Sequence, residues 1–389
     1  MEKLVIMSFF LINPILGFIG IPLLKNKRKA FFLLLSLLFA YYGFCIPITF
    51  ELDLSRHYEF FDEIIVGNFD LESSRYFGMY ILCYIIKFLS LPRELLPFIS
   101  LFLTYYISFN IYSGEIAKNR HINLRDEIFI YLFVICNLIH YVNIYSGIRF
   151  PIAMILSFYG IYKKENKEIG KIKFLLIFLL ALSFHKFIIV IYIIYFISFF
   201  LKINCKIEEK VRVLIFGLLF FLSFNEELFT KIFSFIPDEY QLKYGMKSYM
   251  LGEGSSEQFG FGGGMYSFGQ KNIIGKIEFI ISEILKKYFY IFYVFVNKNI
   301  DNFLLTLTYI VLLFYRFETF STRYIVILSY FLMIYIIRRY REVNTIYFEI
   351  LTLFNLTYQI LLIKNKVWFF LGIKNFIFSV PILKLLGID

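Results

Sequence analysis

Apolar runs separated by short polar breaks recur along the whole chain: residues 4–24, 30–50, 76–91, 95–113, 128–142, 150–162, 174–201, 211–224, 276–296, 302–316, 323–337, 345–363 and 367–385. About 20 apolar residues cross the hydrocarbon core of a bilayer as an α-helix. Several runs qualify alone, and the shorter ones suit tilted, partial or re-entrant segments. The pattern predicts an all-α, polytopic integral membrane protein with about 10 to 13 membrane segments, some of them re-entrant. It is expected to form one transmembrane domain over 1–389, with external loops at 51–75 and 225–275.

Composition excludes a soluble alternative. Hydrophobic residues make up 59% of the chain, 52 residues are Phe, and mean hydropathy is +0.71. The formal charge of +11 comes from short basic clusters at the ends of apolar runs: Lys25 with Lys27, Arg28 and Lys29; Lys163 and Lys164; Lys171 and Lys173; Arg338, Arg339 and Arg341. That placement sets cytoplasmic loops and does not point to nucleic acid. The N-terminus lacks a basic n-region and a small-residue cleavage site, so it reads as a retained first helix. Cys45, Cys83, Cys136 and Cys205 are scattered, which supports neither a metal site nor a disulfide framework.

With the basic clusters inside, 51–75 and 225–275 fall outside. Run 76–91, interrupted by Lys87 and closed by Pro92-Arg93-Glu94, is expected to lie in the interface or re-enter. Run 174–201 has basic flanks on both sides, so it is expected to turn back at Ser183-Phe184-His185-Lys186.

The candidate chemistry lies where cations meet apolar runs. An Arg or Lys at the centre of a membrane helix costs about 2.5 to 3.5 kcal/mol. Arg149, in Asn143-Ile-Tyr145-Ser-Gly147-Ile-Arg149-Phe-Pro151, precedes a proline in a helical first turn, so its guanidinium would join the helix N-terminus in an anion site suited to phosphate. The bland reading is an interfacial arginine that snorkels. His185 and Lys186 would face the same side. Arg323, after Arg316-Phe-Glu318-Thr-Phe-Ser321-Thr, begins another apolar run in the same way, and Tyr324 follows it.

Asp53-Leu-Ser-Arg56-His57-Tyr58 offers an acid/base and sugar-binding cluster, against the alternative of a solvated loop. In the late loop, Lys243 and Tyr244 suit stacking on sugar rings. The glycine run Gly260 to Gly264 lacks the spacing of a phosphate loop and reads as a hinge.

These features together resemble the EpsG-type, Wzy-like family of bacterial polysaccharide polymerases. The likeness rests on the acidic-aromatic segment Asp53 to Tyr58, Ser146-Gly147-Ile-Arg149 before a helix, the Lys-rich loop that follows, Phe184-His185 inside the next run, and Arg323-Tyr324. It covers residues 30 to 200, and the C-terminal third only through Arg323. Phe150 stands where the family often has Gln, and Lys186 where it often has a small residue.

The resemblance implies an enzyme that joins lipid-linked oligosaccharide repeat units, carried on undecaprenyl diphosphate, at the outer face of the bacterial inner membrane. It implies no cofactor and no metal; the lipid bilayer and a chain-length regulator protein are its other expected partners. Departure of a diphosphate calls for preorganised cations, a role expected of Arg149, His185, Lys186 and Arg323. Asp53 is the expected base, with His57 the alternative. Arg56, His57, Tyr58, Tyr244 and Tyr324 are the expected sugar contacts. Rival readings are a flippase for the same lipid-linked units, which should carry an inverted repeat, and a membrane acyltransferase with His185 as base.

Overall fold

The computed structural model describes residues 2–17, 27–47, 53–67, 76–135, 141–201, 209–225, 286–296, 300–315, 317–342 and 367–387, with isolated positions between them. Among these the chain is helical, without strands. It packs as two compact units: Met1–Ile189 with Gln359–Asp389, and Val190–Tyr358.

The first unit contains α1 (Glu2–Ile12), α2 (Lys27–Cys45), α3 (Asp53–Glu63), α4 (Phe77–Phe88), α5 (Leu95–Lys118), α6 (Leu124–Phe133), α7 (Tyr141–Gly147), α8 (Arg149–Glu165) and α9 (Lys171–Phe184). Its core begins between α1 and α2, where Phe10, Leu33, Leu34, Leu37, Tyr41 and Phe44 cluster against Phe98 and Phe102 of α5. Helices α2 and α5 run antiparallel. Phe32 stacks on Phe109 at 5.2 Å near one end, and Gly43 lies against Leu101 near the other.

Helix α8 follows α5 in the same direction. The Ser100 hydroxyl donates to the Ile144 carbonyl just before the α7–α8 junction at 3.0 Å, Tyr112 meets Phe158, and the Tyr162 hydroxyl donates to Glu115 at 2.6 Å. Glu115 is buried, and Lys118 also contacts it at 2.7 Å. Its charge is therefore held by two donors, the Tyr162 hydroxyl inside the bundle and the exposed Lys118 at its rim. Helix α9 returns antiparallel, because its last residue precedes His185, which packs on Phe150 in the first turn of α8.

These directions give the unit two unlike ends. One gathers Arg28, Lys118, Lys163, Lys164 and the lysines that open α9; there Arg28 pairs with Glu127 and Lys163 with Glu168. The other gathers α3, α4 and the first turn of α8.

Helix α10 (Ile188–Leu201) leads into the second unit, which also holds α11 (Glu209–Leu222), α12 (Lys286–Val296), α13 (Asn302–Leu313) and α14 (Glu318–Arg338). Rings join them: Phe216 to Phe295 at 4.6 Å, Phe303 to Phe331 at 4.9 Å, and Tyr195 to Phe303 at 5.7 Å. Asp301 caps α13 by accepting the Leu304 N–H at 2.8 Å. The chain ends in α15 (Val367–Phe378) and α16 (Pro381–Leu385), which belong to the first unit.

Three described helices are long and apolar enough to cross a membrane: Arg28–Cys45, Leu95–Lys118 and Ser321–Arg338. Helices α7 and α8 make a fourth if taken as one broken span. These apolar helices mark the chain as membrane-associated. Among the described residues, several of the apolar runs are cut. Run 4–24 breaks at Asn13-Pro14, and run 367–385 at Ser379 with Pro381 restarting the helix.

Run 174–201 breaks where expected, His185 ending α9 in an extended conformation. Within the stretch read as an external loop, Asp53–Glu63 is a helix with Leu54, His57, Tyr58 and Phe61 on its buried face. Their i, i+3, i+4, i+7 spacing is that of an amphipathic helix. Helix α14 begins at Glu318, so Arg323 lies inside it and does not open it. The stretch 225–275 lies almost wholly outside the described residues, Gly260 to Gly264 included.

Candidate functional site

The break between α7 and α8 positions the first functional side chain. The two helices meet at 108° across Ile148, and no side chain caps α8. Its third residue, Pro151, has no N–H to satisfy. Arg149 therefore stands at a helix start, half-buried.

Its guanidinium lies over the Tyr76 ring, 4.1 Å from the centroid. This cation–π contact is worth about 0.5 to 2 kcal/mol, the larger figure where water is excluded. Tyr76 also stacks with the buried His185 at 5.9 Å. Phe150 meets the same imidazole edge-on at 5.5 Å, and Phe187 packs beside it at 5.8 Å. His185 Nδ1 accepts the Phe187 N–H at 3.3 Å, which leaves Nε2 to carry the proton of the neutral ring.

Close packing sets this arrangement. Gly78, two residues after Tyr76, lies where a Cβ would fall on Ser183 Oγ and 2.9 Å from Phe184 Cδ2. Only a glycine lets α4 approach the end of α9 this closely.

Helix α3 completes the cluster. His57 is 5% exposed, and its pKa is pushed down to about 4, first by burial and then by the Arg149 charge, with Arg56 adding to the effect and Asp53 opposing it. Tyr58, buried beside it, has its hydroxyl pKa raised by burial and by Glu94 and Tyr145, against the lowering effect of Arg93.

Arg93 fixes the helix. It pairs with Asp62 and lies 4.9 Å over the Tyr58 ring. Lys87 reaches the last turn of α3 from α4, donating to the Phe61 and Asp62 carbonyls at 3.1 and 2.7 Å. Those are carbonyls a helix end leaves unpaired, where a cation is also favoured by the dipole.

The predicted residues thus divide. Arg149 and His185 meet on Tyr76 in the first unit, and His57 is buried on α3 under the electrostatic influence of Arg149. Asp53 and Arg56 pair with each other on the exposed side of α3, and Lys186 is exposed beside His185. Arg323 is half-buried and Tyr324 buried in α14 of the second unit. Tyr244 and Arg316 lie outside the described residues. Among the described residues no group of His, Cys, Asp and Glu could hold a metal ion.

Sequence reasoning missed Tyr76, which joins the arginine to the histidine. It also missed that Lys87 serves α3. A clue to the first was available: a tyrosine and a glycine two apart at the start of an apolar run. No protein-family model, curated protein or solved structure matches the chain.

Proposed function

We propose that this chain polymerises lipid-linked oligosaccharide repeat units at the outer face of a bacterial inner membrane, with undecaprenyl diphosphate as the carrier. The observation that carries the reading is the meeting of Arg149 and His185 on Tyr76, at the end of the first unit opposite its lysine-rich end. The lysine-rich end faces the cytoplasm by the positive-inside rule, so the Arg149 end faces out.

In this reading the Arg149 fork holds the departing diphosphate, and His185 donates to it from Nε2. Arg149 is fixed before the charge develops, so little reorganisation accompanies the reaction. Lys186 is a further cation for the same anion, and the apolar helices hold the polyprenyl tail. The acceptor is a hydroxyl on the terminal sugar of a second repeat unit.

The test is replacement of Arg149 by Ala and by Lys in a complemented deletion strain. The expected result for Arg149→Ala is loss of polymer with accumulation of lipid-linked single repeats; Arg149→Lys also fails if the bidentate fork is needed. Polymer of normal length from Arg149→Ala removes this site from the reaction. A deletion strain with no surface glycan at all, in place of single-repeat glycan, points to a flippase.

A further inference from the structure

We propose that α4 and the hairpin of α15 and α16 form one lipid-facing surface at the Arg149 end of the first unit, seated in the outer leaflet of the membrane. Helix α4 enters and leaves at that end. Its start lies against Arg149 and His185 through Tyr76, and against Ser183 and Phe184 through Gly78. Its last turn holds the end of α3 through Lys87. The chain then opens α5 at Leu95, shortly before Ser100 meets the Ile144 carbonyl beside the α7–α8 corner. The 12 residues of α4 extend about 18 Å as a helix, against about 30 Å of hydrocarbon. Helix α4 therefore does not cross.

The hairpin also returns to the end from which it comes. Gly372 of α15 lies against the end of α2, where a Cβ would fall 3.3 Å from Ile46 Cα. One turn on, Phe376 packs on Tyr42 at 5.7 Å and on Tyr41 at 5.9 Å, and Ser379 pairs with the Tyr41 hydroxyl. Tyr41 is about 7 to 8 Å below Ile46 along the α2 axis, which is the depth the hairpin reaches. Pro381 then restarts the chain as α16, which comes back to set Gly387 where a Cβ would lie 3.7 Å from Pro92 Cδ, between α4 and α5. Pro381 has no N–H for the Ile377 carbonyl one turn before it. The Asn13 side-chain amide donates to that carbonyl at 3.3 Å, so the break is satisfied by protein, as a break within a membrane must be.

Both elements turn apolar side chains to their surroundings. The inward face of α4 is buried around Met79 and Cys83, while Phe77, Ile85 and Phe88 are exposed on its outward face, with Leu89 beyond them; Phe88 is 63% exposed. Phe378, at the turn of the hairpin, is 81% exposed, and Leu386 is exposed where α16 nears Pro92. A helix apolar all round belongs in protein or in lipid. Lipid is the occupant because the surface continues from two spans: α4 runs directly into α5, and the hairpin lies along α2. The depth agrees, since elements lying in the membrane boundary bury their apolar face by about 5 to 10 Å. Lys87 and Arg93 stand with the end of α3 at the rim, at the level of the headgroups. The lysine-rich end faces the cytoplasm, which makes this the outer leaflet. Nothing in this surface depends on what Arg149 binds.

The test uses the full-length protein in proteoliposomes at high lipid excess, with Trp368, the single tryptophan of the sequence, changed to Phe. In that background Phe88→Trp and Phe378→Trp each carry one fluorophore at an exposed position. The expected result for both is blue-shifted emission that loses more intensity to phosphatidylcholine brominated near the headgroup than to the same lipid brominated near the chain ends. Emission that neither lipid quenches places the side chain in water or against protein, and stronger quenching by the deep bromines places it at the membrane centre; either result overturns the assignment. One tryptophan variant alone decides the depth should the other fail to fold. For the side of the membrane, Ser90→Cys, just past α4 and exposed, is expected to react with an impermeant maleimide in spheroplasts beyond the wild-type level. Reaction only after the membrane is opened puts this end inside and overturns the outer placement.

Discussion

Replacing Gly78 by Ala sets two effects against each other. Alanine is the better helix former by at most about 1 kcal/mol, which alone would stabilise α4. Against that, the new Cβ falls on Ser183 Oγ and lies 2.9 Å from Phe184 Cδ2, short of the 3.4 Å at which ordinary contact begins by about 0.5 Å. The Ser183 hydroxyl cannot turn aside freely, because it donates to the Leu180 carbonyl at 2.7 Å, a bond worth about 1 kcal/mol. Overpacking of a filled site costs about 1 to 3 kcal/mol. Crowding therefore wins, with a net loss of about 1 kcal/mol.

The effect on the site is larger than the effect on stability. Phe184 is the residue before His185, and misplacement of a positioning group by about 1 Å can cost about 10²-fold in rate; half that shift gives roughly 10-fold. Ser183→Ala removes the first obstacle, so the double variant should recover part of both losses. Thermal unfolding of the detergent-solubilised protein and polymer yield in the deletion strain measure the two quantities. A Gly78→Ala protein that melts higher than wild type and makes normal polymer would show that contact between α4 and α9 does not set the site.

Tyr76→Phe keeps a ring under the Arg149 guanidinium and should leave polymer yield near normal, whereas Tyr76→Leu loses about 0.5 to 2 kcal/mol of cation–π attraction and should lower it; equal yields from the two would remove the ring from the mechanism. Tyr162→Phe withdraws a hydroxyl from buried Glu115 and should cost about 1 to 3 kcal/mol of stability. Lying 13 residues, or about 20 Å, along α8 from Arg149, it should lower the melting temperature without shortening the polymer. The depressed pKa of His57 makes acid destabilising: its contribution is fully present above the unfolded value of 6.5 and is lost as pH falls from 6.5 to about 4, by about 3 kcal/mol. Melting curves of wild type and His57→Gln across that window test this, and parallel losses in the two proteins would refute it.

The helical class was legible because apolar runs with basic ends leave little choice, and the start of α8 was legible because Pro151 tolerates only the first turn. The break at His185 was inferred from basic flanks on both sides of one run, a charge argument that needed no contacts. Helix α3 was not read from the sequence, since its polar residues outnumber the apolar stripe that buries it. The partnership of Arg149 with Tyr76 joins residues 73 positions apart, and nothing local signals which of 31 tyrosines meets the guanidinium. The role of Lys87 was hidden for a related reason: its partners are backbone carbonyls of another helix, which carry no side-chain signature.

The right-angled corner at Ile148 ties the location of the arginine to the count of residues. In the helix that follows, each step turns a side chain by about 100°, so a guanidinium supplied by the next position along would point elsewhere and miss the Tyr76 ring. Exchanging Arg149 and Phe150 preserves the composition, the charge and the hydropathy of the segment, yet it should silence the protein as thoroughly as deleting the arginine.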